Sequence, residues 1–173
     1  MKPEVVDSLA KYASPTVDAF FRSQDEARRK AATTSLATAH GPYPGDFTGV
    51  PKLTYNTHPD ELPNPGEVVW AWVPFADNNS VGKDRPVLIV SREAKPGRPS
   101  ETKWLLGLPL TSVDHEDSLC IGSGGWDVRQ RESFVRLDRI IRVDPRRVRR
   151  IGGQLDEKTF WAVAANLRRH RKN

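Results

Sequence analysis

The chain has 173 residues, 37% of them hydrophobic and 28% charged, with a net charge of +5; that allows one sizeable domain with an appendage and one ordinary buried core. No apolar run approaches the roughly 20 residues that cross a bilayer, and the first residues lack the basic, apolar and small-residue pattern of a signal peptide, so a cytoplasmic protein with no membrane partner is expected. The charge is uneven: from Arg129 to Asn173 there are 14 Lys and Arg against 5 Asp and Glu, while the other 128 residues hold 13 against 17, which suggests a polyanionic partner, nucleic acid before membrane, or else a solubilising surface.

Residues from Pro3 to Ala39 read as helical. Val5, Val6, Leu9 and Ala10 share one helix face, Ser14-Pro15 restarts a helix, and Val17, Phe20 and Phe21 continue at helical spacing. Residues 1–39 are thus expected to form a helical N-terminal extension. From His40 the composition turns to proline and glycine, and residues 40–64 read as an extended linker or a strap across the domain, with the boundary near Pro63 to Gly66. The main domain then occupies residues 65–173.

Its period is that of strands. Glu67–Val73 is an apolar, β-branched and aromatic run, followed by a polar loop from Asp77 to Asp84. Pro86–Val90 is continuous and apolar, as in a strand buried on both faces. Lys95–Glu101 reads as a loop, and Trp104–Leu110 as a third strand, placed by Pro109 at an edge or a bulge. Ser133–Val143 alternates through Val135 and Leu137. The last element is a helix, N-capped by Asp156, with Phe160, Val163, Ala164 and Leu167 on one stripe and Leu155 stapled onto Phe160. Short strands closed by one helix indicate a small, strongly bent, barrel-like sheet.

The sequence has no P-loop, GxGxxG, HExxH or GxSxG, and His115-Glu116-Asp117 reads as a solvated loop. The single cysteine, Cys120, is expected to be a small, partly buried side chain. Two positions carry chemistry. Arg85 enters an apolar strand, so its guanidinium ends at the strand mouth, in an ion pair or facing an anion. Thr111 and Ser112 follow the third strand, in a turn or within reach of a phosphate. Trp70, Trp104 and Trp161 read as core, and Trp72 shares the face of Trp70. Trp126, with the residues from Ser123, is a candidate for base stacking.

Five blocks together resemble the MazF/PemK family of endoribonuclease toxins. They are Pro65-Gly66-Glu67-Val68-Val69-Trp70, Lys83-Asp84-Arg85-Pro86-Val87-Leu88-Ile89-Val90-Ser91, Leu108-Pro109-Leu110-Thr111-Ser112, Ser133-Phe134-Val135-Arg136-Leu137-Asp138-Arg139-Ile140 and Ile151-Gly152-Gly153-Gln154-Leu155. The order matches, and the resemblance covers roughly the last 110 residues, from Pro65 to Leu167. It implies a mainly β fold, an SH3-like small barrel with a C-terminal helix, as in MazF and in the CcdB gyrase poisons, and usually a homodimer. It also implies metal-independent cleavage of single-stranded RNA, without a cofactor, and neutralisation by a cognate antitoxin. Arg85 and Thr111 take the catalytic positions. Asn78, Asn79, Ser80, Lys83, Ser112 and Trp126 are the candidates for holding RNA. Two other readings of the same fold are a CcdB-like toxin that docks on a protein, and a nucleic-acid-binding module without catalysis.

Overall fold

The computed structural model describes residues 42–58 and 60–172; the helices expected between residues 3 and 39 lie outside them. Seven strands follow in chain order: β1 (Glu67–Pro74), β2 (Gly82–Lys95), β3 (Arg98–Thr111), β4 (Ser118–Gly122), β5 (Ser133–Arg136), β6 (Ile141–Val143) and β7 (Arg150–Gln154). A short 3-10 turn, Pro145–Arg147, precedes β7, and helix α1 (Glu157–His170) closes the domain. The strands pair antiparallel in the order β4-β5-β3-β2-β1-β7, and β6 also pairs with β3. The fold is mainly β with one C-terminal helix, as expected for a MazF-like domain.

The 14-residue strands β2 and β3 are its spine. They are longer than their apolar runs, because residues from Lys95 to Glu101 form a hairpin and not an open loop. Lys95 lies opposite Arg98, and Gly97, at φ 72°, supplies the positive φ that so tight a turn requires. The register of β2 against β3 shifts after Ile89 and again after Glu93; such bulges bend a sheet. Pro109 sits inside the sheet and not at its edge. Towards its C-terminus β3 changes partners, from β6 at Leu105–Gly107 to β5 at Leu110–Thr111, and Pro109 falls in the gap, where its missing N–H costs no ladder bond. The run from Ser133 to Val143 is accordingly two strands, β5 and β6, on the same side of β3. Residues 151–154, from the last of the five blocks, form an edge strand on β1.

Alternation along the central strands builds two apolar clusters. Val68, Leu88, Val90, Leu106, Leu108 and Leu110 join Phe160, Val163 and Leu167 of α1 in the larger one. Val69, Ala71, Val73, Val87, Ile89 and Leu105 join Ile141 and Val143 in the other. Central strands apolar on both faces are what the unbroken run Pro86–Val90 required. Asp156 caps α1 by accepting from the Thr159 amide at 2.9 Å, and Leu155 is buried beside Phe160 in the larger cluster.

Residues 42–58 and 60–65 form a strap fastened to this core, so the compact unit, Gly41–Asn173, begins ahead of the expected boundary. Leu53 is buried, Tyr55 packs its ring 5.3 Å from that of Phe160, and the Tyr55 hydroxyl donates to the Leu155 carbonyl at 2.8 Å. Ser91 Oγ donates to the Lys52 carbonyl, and Arg92 to the Leu62 and Pro63 carbonyls. Gly66 is where strap and sheet meet. Its φ is +102°, and a Cβ there would lie 2.6 Å from the Tyr55 ring, so only glycine fits.

Two substitutions test this packing by urea denaturation. Phe160→Ala should cost about 3–5 kcal/mol, because the ring is fully buried between sheet and strap. Tyr55→Phe should cost about 1 kcal/mol through one lost hydrogen bond. A Tyr55→Phe variant as stable as the parent would mean that the strap is not held at this point.

Candidate active-site cleft

A cleft of about 570 Å³ opens where β2, β3 and β5 end; its walls include Trp70, Lys83, Arg85, Thr111, Ser112, His115, Ser133 and Arg136. The two positions that carry chemistry in the sequence are set by the ladders. In β1–β2 pairing Arg85 lies opposite Ala71. In β2–β3 pairing Val87 lies opposite Pro109. The ladder ends there, two residues short of Arg85 and of Thr111, and both of these line the cleft. Arg85 belongs to the alternation of Val87 and Ile89 and so stands at the open end of the second apolar cluster.

Arg85 is half-buried, and among the described residues no carboxylate pairs with it. Its neighbours are cations. Burial first, and then the charges of Arg136 and Arg139, hold its pKa below the ordinary guanidinium value. The neighbours already have partners. Arg136 donates to both oxygens of Asp138, at 2.9 and 2.7 Å, which raises its pKa. Arg139 donates to both oxygens of Asp46, at 2.8 and 2.9 Å, and to the Pro74 carbonyl. Asp84, beside Arg85 in sequence, pairs with Arg149 at 3.2 Å. The ion-pair reading of Arg85 therefore fails among these residues.

Thr111 Oγ1 accepts from the Val113 amide at 3.2 Å, which fixes the hydroxyl while its own proton is available to a ligand. Ser112 and Lys83 are exposed on the rim. The other candidates do not converge here. Asn78, Asn79 and Ser80 form the tip of the β1–β2 hairpin, where Asn78 Oδ1 accepts from the Ser80 amide and hydroxyl, and none of the three lines the cleft.

Trp126 is a correction. It is only 4% exposed and lies in the core. Its indole N–H donates to Ser133 Oγ at 2.9 Å and its carbonyl accepts from Trp70 Nε1, so no ring face is open to a base. The tryptophans expected as core differ too: Trp70 and Trp104 are half-buried, and Trp161 is 38% exposed with its N–H on Glu157. Cys120 is exposed on the edge strand β4.

Sequence reasoning missed His115, Arg131, Ser133 and Arg136 as cleft residues. Ser133 and Arg136 were visible in the late-strand block but carried no signal of direction. His115 looked like part of a solvated loop; only the path of that loop from β3 to β4 brings it back over the cleft. Arg131 is paired with Asp127 at 2.8 Å, and that pair lowers the Asp127 pKa.

Among the described residues, no helix is long and apolar enough to cross a membrane. Residues 64–170 match the family of PemK-like, MazF-like toxins of type II toxin–antitoxin systems. Among solved structures, the chain is similar to the MazE–MazF complex (Form-II) from Deinococcus radiodurans, with 19% identity over 62% of this chain and 93% of that one and a TM-score of 0.43. No curated protein matches the sequence. With more than half of its length matched, the chain belongs to the PemK-like, MazF-like family of type II toxins.

Proposed function

We propose that the cleft is the active site of an endoribonuclease that cuts single-stranded RNA, mRNA in the cell, by attack of the 2′-hydroxyl on the adjacent phosphate. The observation that carries this reading is Arg85, a half-buried guanidinium without a carboxylate among the described residues, lining the same cleft as the Thr111 hydroxyl. RNA supplies its own nucleophile, so the protein must mainly position the phosphate and stabilise the charge that develops on it. Arg85 is suited to a bidentate contact with the phosphorane oxygens, and Thr111 donates to a non-bridging oxygen. The cations that line the cleft favour an anion over a metal ion, so the reaction proceeds without one. Lys83 and Ser112 hold flanking phosphates from the rim, and the Asn78–Ser80 tip meets the strand beyond it. Membership of a toxin–antitoxin family supports a cognate antitoxin as partner, covering this basic cleft, and a homodimer as the working form. Residues 65–173 are the catalytic part, and residues 1–39 an appendage to it.

The cleft also favours catalysis over a pure nucleic-acid-binding module built on the basic tail. Arg171 donates to the Thr48 and Gly49 carbonyls of the strap, and His170 contacts Asp117 at 3.0 Å. Those tail groups fasten the fold.

End-labelled single-stranded RNA incubated with the protein in excess EDTA should give discrete fragments ending in a 2′,3′-cyclic phosphate. Arg85→Ala and Thr111→Val should each slow this on the order of a hundredfold or more. Intact RNA from a folded protein, or cleavage indifferent to Arg85→Ala, would end the proposal. A second test is stability. Arg85→Met removes a half-buried cation from beside two like charges, so it should raise the thermal midpoint while abolishing cleavage; a lowered midpoint in calorimetry would reveal a native counter-charge.

A further inference from the structure

In-line displacement at phosphorus needs a group that takes the 2′-hydroxyl proton on one side and charge stabilisation at the leaving oxygen on the other. The residues described so far supply the second requirement and not the first. The carboxylates lining the cleft are engaged: Asp84 with Arg149 at 3.2 Å and Asp127 with Arg131 at 2.8 Å. The hydroxyls of Thr111, Ser112 and Ser133 are not bases near neutral pH, and the cationic side chains there hold no free electron pair for a proton.

His115 remains. It is the one histidine among the described residues that line the cleft. Its main chain is clamped in a turn: its amide donates to Ser118 Oγ at 2.9 Å, its carbonyl accepts from the Ser118 amide at 3.1 Å, and Ser118 Oγ contacts Asp114 at 3.0 Å. Its imidazole makes no hydrogen bond or ion pair with any described residue. A ring that is free, on a backbone that is held, is suited to accept a proton from a ligand. In the order β4-β5-β3-β2, Thr111 at the end of β3 has Arg85 of β2 on one flank, and the loop that carries His115 towards β4 on the other.

We infer that His115 is the general base of the cleavage, an inference that rests on the nuclease reading above. A neutral imidazole nitrogen takes the 2′-hydroxyl proton as the 2′-oxygen bonds to phosphorus. The bond from phosphorus to the 5′-oxygen breaks, and its electron pair goes to that oxygen, steadied by Arg85. The 5′-oxygen takes a proton from water, and the imidazolium returns one to solvent. The charged groups that face the same cleft are Lys83, Asp84 and Arg85 from β2, Asp127 and Arg131 from the loop before β5, and Arg136 from β5. Asp114, Glu116 and Asp117 share the His115 loop, and His170 of α1 reaches it through Asp117.

The test is a single-turnover pH–rate profile from about pH 5 to 8, with RNA as substrate. A base must be neutral to act, so the wild-type rate should fall towards acid. His115→Gln should be slower on the order of a hundredfold or more and should lose that acidic limb. It should bind an uncleavable oligonucleotide, 2′-deoxy at the cut site, as tightly as wild type. Added imidazole should partly restore His115→Ala, and His170→Gln should keep the limb. A His115→Gln profile with wild-type rate and limb would overturn the inference and leave the nuclease reading standing. A wild-type protein that binds the RNA and never cuts it would overturn the nuclease reading, and the inference with it.

Discussion

The antiparallel pairing of β2 with β3 is the constraint on which the rest of the molecule depends. The two long strands put apolar side chains on both faces, so one ladder nucleates both clusters of the core. The cleft that holds Arg85 and Thr111 opens just past the last pair of that ladder, Val87 opposite Pro109. Core and site are therefore not independent. A slip of one residue would turn Val87 and Ile89 out of their cluster and swing Arg85 away from Thr111 at once. The partner change of β3, from β6 to β5 around Pro109, opens the sheet at the place where the cleft forms.

Charge does two different jobs in this chain. The C-terminal third is strongly basic, yet many of its arginines serve as structural pins. Arg139 holds Asp46, Arg142 holds Glu93 and the Gly45 carbonyl, Arg149 holds Asp84, and Arg171 holds the Thr48 and Gly49 carbonyls. A guanidinium has five donors in a fixed fork, which lets one side chain tie strap and sheet together. Arg85, by contrast, has no carboxylate among the described residues. Much of the excess of basic residues counted along the sequence is therefore architecture.

Much of this was legible beforehand where a local pattern has a single structural meaning. The helix with its Asp156 cap and the doubly buried strand at Pro86–Val90 belong to that class. What was not legible depends on partners distant in sequence. Trp126 reads like a stacking platform within its polar stretch of glycine and serine, but it closes onto Ser133 and Trp70 and becomes core. Trp161, on an amphipathic helix, lies at the surface because Phe160, Val163, Ala164 and Leu167 take the inward stripe. Pro109 signals a missing donor without saying that the gap lies between two partner strands. His115 belongs to the cleft only through the path of its loop, and a path has no period to read.

On the proposed function, the Arg85 guanidinium waits for a phosphate of RNA. Nitrogen-15 NMR of the arginine side chains, recorded while an uncleavable single-stranded oligonucleotide is added, tests it most directly. If Arg85 is the anchor, its Nε–H resonance should shift and sharpen on binding, ahead of the paired Arg139 and Arg142, and Arg85→Met should lose most of the affinity. An oligonucleotide that binds without moving the Arg85 resonance, or binds Arg85→Met equally well, would place the substrate elsewhere and contradict the claim.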